Sequence, residues 1–421
     1  MKTLVLITSQ FPFGKGEPFL ETELPIVSTG FEKVIIISLN VTLEKTRSIP
    51  DEYKIFRYNT STSFSGYLFF PVLVFQNCGV IKELIKEEAL FRRSIHDPFT
   101  IKKLLILFKR IIKAFELKNF IQRKLTEEGI NENIVFYSYW LKTGAHAIAM
   151  LKYRDSIKIS RAHGSDIYEE KTKSGYLALL KFSSSNLNAI FFVSTQGQKY
   201  FEEKLKVKSP NFIVSYLGVE KPDSKGITAK EQDKYLVVSC SNLIPLKRID
   251  RIINSLAIVK SDKNILWLHF GDGILRNELE ALAENKLGPL DRIDYSFMGH
   301  YLNKELLQYY CSNKIDLFIN TSSTEGVPVS IMEALSFGIP VIATDVGGVK
   351  ELVVEGTGIL LPADFKILDL TKNIEFFLNL SVEEELKFRK NAYSNWEMNF
   401  NASVNYRDFI MRVNSIFATV K

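Results

Sequence analysis

The run Thr324-Glu325-Gly326-Val327-Pro328-Val329-Ser330-Ile331-Met332-Glu333-Ala334-Leu335 decides how this chain is read. Ahead of it lies Ile315-Asp316-Leu317-Phe318-Ile319-Asn320, apolar and strand-like, and then a Ser/Thr/Gly loop. Pro328 is well placed to open a helix that stops at Gly338. The order is therefore strand, loop, helix N-terminus. Helical side chains lean toward their own N-terminus, so Glu333, a turn and a half inside, is expected to reach back toward the loop that carries Glu325. Both carboxylates then face one small space, beside free backbone N–H groups that suit an anion. Hydroxyl-rich ligands carrying phosphate want such a mixture, because carboxylates accept from sugar hydroxyls while amides hold the phosphate. The plainer alternative is a solvated Glu333 and a Glu325 favoured by the helix dipole.

The same alternation of β-branched or aromatic runs with helical segments extends outward in both directions, which argues for parallel sheets with helical crossovers. In the first half the strand candidates are Thr3–Thr8, Val34–Leu39, Ile134–Tyr137, Ile157–Arg161, Ile190–Val193 and Phe212–Tyr216. The second half offers Tyr235–Ser239, Ile265–Phe270, Ile293–Met298, Ile315–Asn320 and Pro340–Ala343. The polar stretch Glu220–Asp233 between them reads as a linker, and Ser61–His96 is irregular. At 421 residues the chain is too long for one core and suits two Rossmann-like domains, 1–219 and 234–399. In open α/β sheets the ligand sits off the carboxyl ends of the strands, so the strand-to-helix loops are where chemistry belongs.

The run from Thr324, continued through Gly338-Ile339-Pro340-Val341-Ile342-Ala343-Thr344-Asp345-Val346-Gly347-Gly348, resembles the donor-site signature of the retaining glycosyltransferases of family 4. It combines two glutamates eight residues apart with Gly-Ile-Pro-Val-Ile-Ala before a double glycine. The resemblance implies the GT-B fold, two Rossmann-like domains whose parallel sheets face each other across a cleft, with a last helix, here within 400–421, packing back on the first domain. It is dense from Tyr235 to about Pro362 and thin before that.

Other loops fit this family. Cys240-Ser241-Asn242-Leu243-Ile244-Pro245-Leu246-Lys247-Arg248 puts two cations at the start of a helix, which is unfavourable unless an anion sits beside them. The family places a diphosphate-binding lysine at the position of Lys247. Many relatives have arginine where this chain has Asn242, and Arg248 is the candidate substitute. Gly271, in Phe270-Gly271-Asp272-Gly273, resembles the family's Gly-x-Gly turn, although a plain tight turn explains it as well. His300, after Gly299, is expected to line the nucleotide site, with Gly326 and Val327 on the donor as neighbours of Glu325. In the first half, Gly14 and Gly16 of Gln10-Phe11-Pro12-Phe13-Gly14-Lys15-Gly16-Glu17-Pro18 allow close backbone approach, and in the family this loop lies against the donor diphosphate. His163, in Ser160-Arg161-Ala162-His163-Gly164-Ser165-Asp166, matches a histidine that contacts the transferred sugar. Tyr139, Trp140 and Asp166 are candidates on the acceptor side, with a core role equally open for the two aromatic rings.

The resemblance implies a metal-independent hexosyltransferase with no cofactor: a UDP- or GDP-sugar donor, a glycan or lipid-linked oligosaccharide acceptor, and front-face transfer with retention. In that scheme Lys247 stabilises charge on the leaving diphosphate, Glu325 holds sugar hydroxyls, Glu333 the ribose, and His163 the sugar near its reacting carbon. Two alternatives remain open: an epimerase or phosphorylase on the same fold, and a non-catalytic scaffold that binds a sugar nucleotide or glycan.

Composition is compatible with this reading. Apolar residues make up 46% of the chain and the formal charge is +6. Cys78, Cys240 and Cys311 have neither metal-ligand nor redox spacing, which suits a reducing cytoplasm. The start Met1–Thr8 reads as a first strand and not as a signal peptide, and the most apolar stretch, Gly66–Phe75, is too short to span a bilayer. Between Ile101 and Lys124 eight basic residues face a single acid, Glu116, among many apolar ones. That segment suits either the inner face of an anionic plasma membrane or a core helix with a basic outer face. No nucleic-acid recognition motif accompanies the charge.

Overall fold

Two parallel sheets, each built from one half of the sequence, organise the protein. The computed structural model describes residues 2–14, 16–40, 42–59, 77–221 and 233–420. The apolar Gly66–Phe75 stretch and most of the expected linker lie outside them. The first unit comprises Met1–Tyr216 and Tyr406–Lys421, the second Leu217–Asn405.

The first sheet contains β1 (Thr3–Thr8), β2 (Lys33–Ser38), β3 (Lys54–Arg57), β4 (Glu132–Ser138), β5 (Arg154–Ala162), β6 (Ala189–Phe192) and β7 (Phe212–Val214), in the order β3-β2-β1-β4-β5-β6-β7. The second contains β8 (Tyr235–Cys240), β9 (Ile265–Phe270), β10 (Ile293–Gly299), β11 (Leu317–Asn320), β12 (Val341–Thr344) and β13 (Gly358–Leu361), in the order β10-β9-β8-β11-β12-β13. Every pairing is parallel. Central strands such as β1 are buried at every residue, since helices cover both faces of a parallel sheet and each strand must be apolar throughout. In each unit the strand order reverses beside the first strand, between β1 and β4 and between β8 and β11. These are the switch points at which the loops diverge and leave a crevice.

All the strands expected from the sequence are present, with ends shifted by a few residues. Two were missed, β3 and β13. Both are four-residue edge strands, and only Leu361 among their residues is buried; β3, Lys-Ile-Phe-Arg, lacks a continuous apolar run, whereas β13, Gly-Ile-Leu-Leu, has a short one that was overlooked. The 27-residue helix Ile101–Glu127 buries Leu107, Ile111, Ile112, Phe115, Leu117, Ile121 and Leu125. Its apolar side is thus a core face, while Ile101 and Leu105 stay 79% and 65% exposed at its first turns. Cys78–Ser94 of the irregular segment is also helical. The final helix, Ala402–Ala418, places Phe409 against Tyr137 and Phe191, at ring separations of 5.3 and 4.7 Å. No helix among the described residues is long and apolar enough to cross a membrane.

Candidate active site

The second unit's switch point joins the loops after β8 and β11 through one ion pair. Lys247 Nζ lies 2.5 Å from Glu325 Oε1, and Asn320, the last residue of β11, donates its amide to the same oxygen at 3.5 Å. Both charged side chains are largely shielded, 21% and 11% exposed. A cation and a carboxylate are held together where the strand order reverses.

Glu333 sits in a different environment. It lies in the helix Val329–Ser336, capped by Pro328 as expected, and is 5% exposed. Its Oε1 accepts from Asn303 Nδ2 at 2.5 Å. Burial pushes its carboxyl up to about 7, with the Asn303 amide pulling the other way. The two glutamates share a loop-helix element yet take separate partners, Lys247 from the loop after β8 and Asn303 from the first turn of the helix after β10.

Arg248 occupies the left-handed region at φ 50°, and its guanidinium is committed to backbone. It donates to the carbonyls of Thr321 (2.7 Å), Ser322 (3.1 Å) and Ala363 (2.7 Å) and to Thr344 Oγ1 (3.4 Å). It braces the loop that ends in Glu325, and nothing in this arrangement offers its charge in place of the cation absent at Asn242.

Close backbone approach explains several glycines. A Cβ on Gly271, at φ 140°, would fall 1.8 Å from the Ser241 carbonyl oxygen, and one on Gly347 would fall 2.2 Å from that of Glu325. The double glycine of the signature therefore lets the loop after β12 lie on the Glu325 loop, and Gly348 N–H donates to Gly326 O at 2.7 Å. Gly326 itself borders open space. His300 is exposed at the end of β10, its Nδ1 2.9 Å from Tyr301 O, and Val327 is half-buried.

In the first unit the loops after β1, β4 and β5 meet around an aromatic cluster. The His163 ring lies 4.4 Å from Trp140 and 5.0 Å from Tyr139. Its side chain is 10% exposed, Nδ1 is 3.6 Å from Asp166 Oδ2, and neither ring nitrogen has a hydrogen-bond partner. Asp166 is fully buried and accepts from the backbone N–H groups of His163 (2.8 Å) and Leu141 (3.0 Å). Burial alone would raise its carboxyl, but His163, Lys142 and the Leu141 amide outweigh that and hold it below the usual range. Asp166 thus ties two loops together with its oxygens turned inward, and Tyr139 is fully buried. Gly14 N donates to Glu44 O, tying the loop after β1 to the segment after β2, and Gly16 N donates to Gln10 Oε1 within its own loop.

Sequence reasoning assigned no role to Glu17, which does most to shape this site. Only 5% exposed and at φ 58°, it accepts from the N–H groups of Ser9 (2.8 Å), Gln10 (2.6 Å) and Phe11 (2.8 Å) and from Trp140 Nε1 (2.6 Å). An acid beside a glycine loop just ahead of a helix was the available signal. Asn303 left no comparable mark.

Residues 220–395 match the family described as Glycosyl transferases group 1. An uncharacterized glycosyltransferase of Methanocaldococcus jannaschii is 30% identical over 277 residues, covering 63% of this chain and 71% of that protein. The O-antigen biosynthesis glycosyltransferase WbnH of Escherichia coli is 28% identical over 287 residues, 67% of this chain and 80% of its own. Among solved structures, HepE of Anabaena in complex with UDP and glucose superposes with a TM-score of 0.64 at 16% identity, covering 99% of this chain and 100% of that one. That last likeness shows the fold.

Proposed function

The chain belongs to the group 1 glycosyl transferases and has the GT-B fold, and from that premise we propose that it moves a hexose from a UDP- or GDP-sugar to a glycan or lipid-linked acceptor in cell-surface polysaccharide biosynthesis, with retention of configuration as in family 4. The observation that carries this reading is the Lys247–Glu325 pair at 2.5 Å, at the second unit's switch point. A nucleotide diphosphate takes over Lys247 there and frees Glu325 to accept from sugar hydroxyls. Charge developing on the leaving diphosphate is the largest electrostatic demand of the transfer, and a preorganised ammonium meets it best.

Glu333 takes the ribose hydroxyls, and Asn303 orients it. Arg248 is a positioning residue that fixes the Glu325 loop from behind. In the first unit His163 contacts the transferred sugar through a ring nitrogen, and Trp140 offers a sugar-stacking face that the buried Tyr139 does not. The departing diphosphate helps deprotonate the incoming hydroxyl, and Lys247 does the electrostatic work for which other transferases use a divalent ion. Activity undiminished by EDTA is the expected result. The protein works in the cytoplasm, against the inner face of the plasma membrane through the basic side of the 101–124 segment, as flotation with anionic vesicles would reveal. The O-antigen relative supports the polysaccharide assignment.

The direct test is a melting-temperature panel of UDP, GDP and their common sugar conjugates. A ligand at 100 times its dissociation constant adds about 2.7 kcal/mol of stability. One nucleotide class should stabilise the protein, and both Lys247→Ala and Glu333→Ala should abolish the response. Stabilisation that survives both substitutions would refute the site.

A further inference from the structure

Three buried side chains of the second sheet form a chain of hydrogen bonds that ends on the loop carrying Lys247. Ser239 on β8 lies in register with His269 on β9, and Trp267 stands two residues before His269, on the same face of the sheet. All three are buried. The Trp267 indole N–H donates to Ser239 Oγ at 3.0 Å, Ser239 Oγ is 2.9 Å from His269 Nδ1, and His269 Nε2 is 3.0 Å from the carbonyl oxygen of Ser241. Phe297, on β10, packs against the Trp267 and His269 rings at 5.5 and 5.9 Å.

Only one placement of the protons satisfies every member. A carbonyl oxygen can only accept, so Nε2 carries a hydrogen. Burial, with Arg276 adding to it, pushes the imidazole down to about 4 against the pull of the Ser241 carbonyl, so the ring is neutral and Nδ1 is bare. The Ser239 hydroxyl must then donate to Nδ1, which leaves its oxygen to receive the indole N–H.

This chain decides which way one peptide faces. Ser241 N–H donates to Phe270 O at 2.9 Å and its carbonyl accepts from His269, so both polar groups of Ser241 turn toward β9. The peptide bond is planar and trans, so the Asn242 N–H points the opposite way, to the side where β11 is the other neighbour of β8. That N–H makes no hydrogen bond among the described residues. Farther along, Leu243 N donates to Asp272 O at 3.0 Å and Thr321 Oγ1 to Lys247 O at 2.9 Å, so the loop is held from both sides. Were the Ser241–Asn242 peptide turned over, a carbonyl oxygen would face the β11 side and repel an anion that an N–H attracts.

We propose that His269 is a positioning residue for the transfer: its bond to the Ser241 carbonyl turns the Asn242 N–H to the side of β8 on which Lys247 meets Glu325, and holds in place the loop that brings Lys247 there. The inference rests on the reading of Lys247 as the cation that takes the donor diphosphate. A backbone N–H then joins the ammonium at the position where this chain has asparagine and no cation.

The test compares His269→Phe, which keeps a buried ring and loses both nitrogens, with His269→Gln, whose side-chain amide supplies an N–H again. UDP and GDP are the probes, titrated calorimetrically against the full chain. Affinity for the nucleotide that binds wild type should fall about tenfold in His269→Phe, and His269→Gln should recover it to within about threefold. Leu378→Ala, a truncation at a fully buried site of the same unit, should lower the melting temperature and leave nucleotide affinity unchanged, which separates positioning from stability. Nitrogen NMR of the labelled imidazole should show a proton on Nε2 and none on Nδ1 at neutral pH. Wild-type affinity in His269→Phe, equal losses in the two variants, or a ring protonated on Nδ1 would each overturn the proposal. Binding of neither nucleotide by wild type would instead remove the donor reading, and this inference with it.

Discussion

The two switch points share a strand order and differ in what holds them together. In the second unit the loops after the first and fourth strands are joined by Lys247 and Glu325, opposite charges that a ligand can separate. In the first unit the corresponding carboxylate, Glu17, is saturated by three backbone amides and the Trp140 indole, leaving the His163 ring unbonded. One crevice is a polar clasp and the other an aromatic platform braced from below. The same scaffold thus yields one site suited to a charged diphosphate and another suited to a sugar face.

The sharpest way to break this contrast is Lys247→Ala. Removing the clasp's cation should lower kcat by about 10² to 10³, the scale seen when a preorganised transition-state donor is lost, while melting in the absence of nucleotide changes little. A loss confined to KM would show that the lysine binds ground state and transition state alike.

Glu17→Ala should have the opposite signature. Three N–H groups and an indole lose their acceptor at once, and each unsatisfied buried donor costs about 1–3 kcal/mol, so denaturant unfolding should show a loss of roughly 3 kcal/mol or more. A fully stable variant would mean that the platform is not braced in this way.

Arg248→Ala tests the boundary between structure and chemistry. It removes charge-assisted bonds to three carbonyls, so a cost of about 2 kcal/mol is expected, with nucleotide affinity falling far less than in Lys247→Ala. Equal losses in the two variants would restore Arg248 as the cation that replaces the one missing at Asn242.

The remaining effect depends on pH and vanishes in acid. Burial raises the Glu333 carboxyl from 4.5 to about 7, so the folded state keeps a proton that the unfolded state releases. The protonated form stabilises the fold fully below the unfolded value, and that contribution is lost as pH rises to the folded one, to a total of about 3 kcal/mol at most. Glu333→Gln should therefore melt higher than wild type near pH 8, with the gap closing toward pH 5. A gap independent of pH would mean that Glu333 is not the titrating group.

Most strands and the loops after the strands of the second unit could be read directly, because both depend on local pattern. Continuous apolar runs mark strands buried on two faces, and Pro328 and Gly338 punctuate the helix that carries Glu333. The edge strand β3 escaped because its Lys-Ile-Phe-Arg has no such run, while β13 carries a short one, Gly-Ile-Leu-Leu, that was overlooked. In the helix Ile101–Glu127 the apolar and basic residues were visible, but not which of them would pack inward. Asn303 and Glu17 were overlooked because an ordinary polar residue acquires a role only from what it meets.

The sequence by itself determined the two-sheet α/β plan, the loops that carry chemistry, and the pairing of Glu325 with Glu333 in one strand-loop-helix element, all of which follow from periodicity and residue type within a few tens of residues. Only the tertiary structure decided the partners. Glu325 meets Lys247 across 78 positions, Trp140 meets Glu17 across 123, and Arg248 turns to carbonyls 73 to 115 positions away. Hydrogen bonds and ion pairs depend on ångström-scale proximity, and between distant segments that proximity is created by the packing of the sheets and helices that carry them.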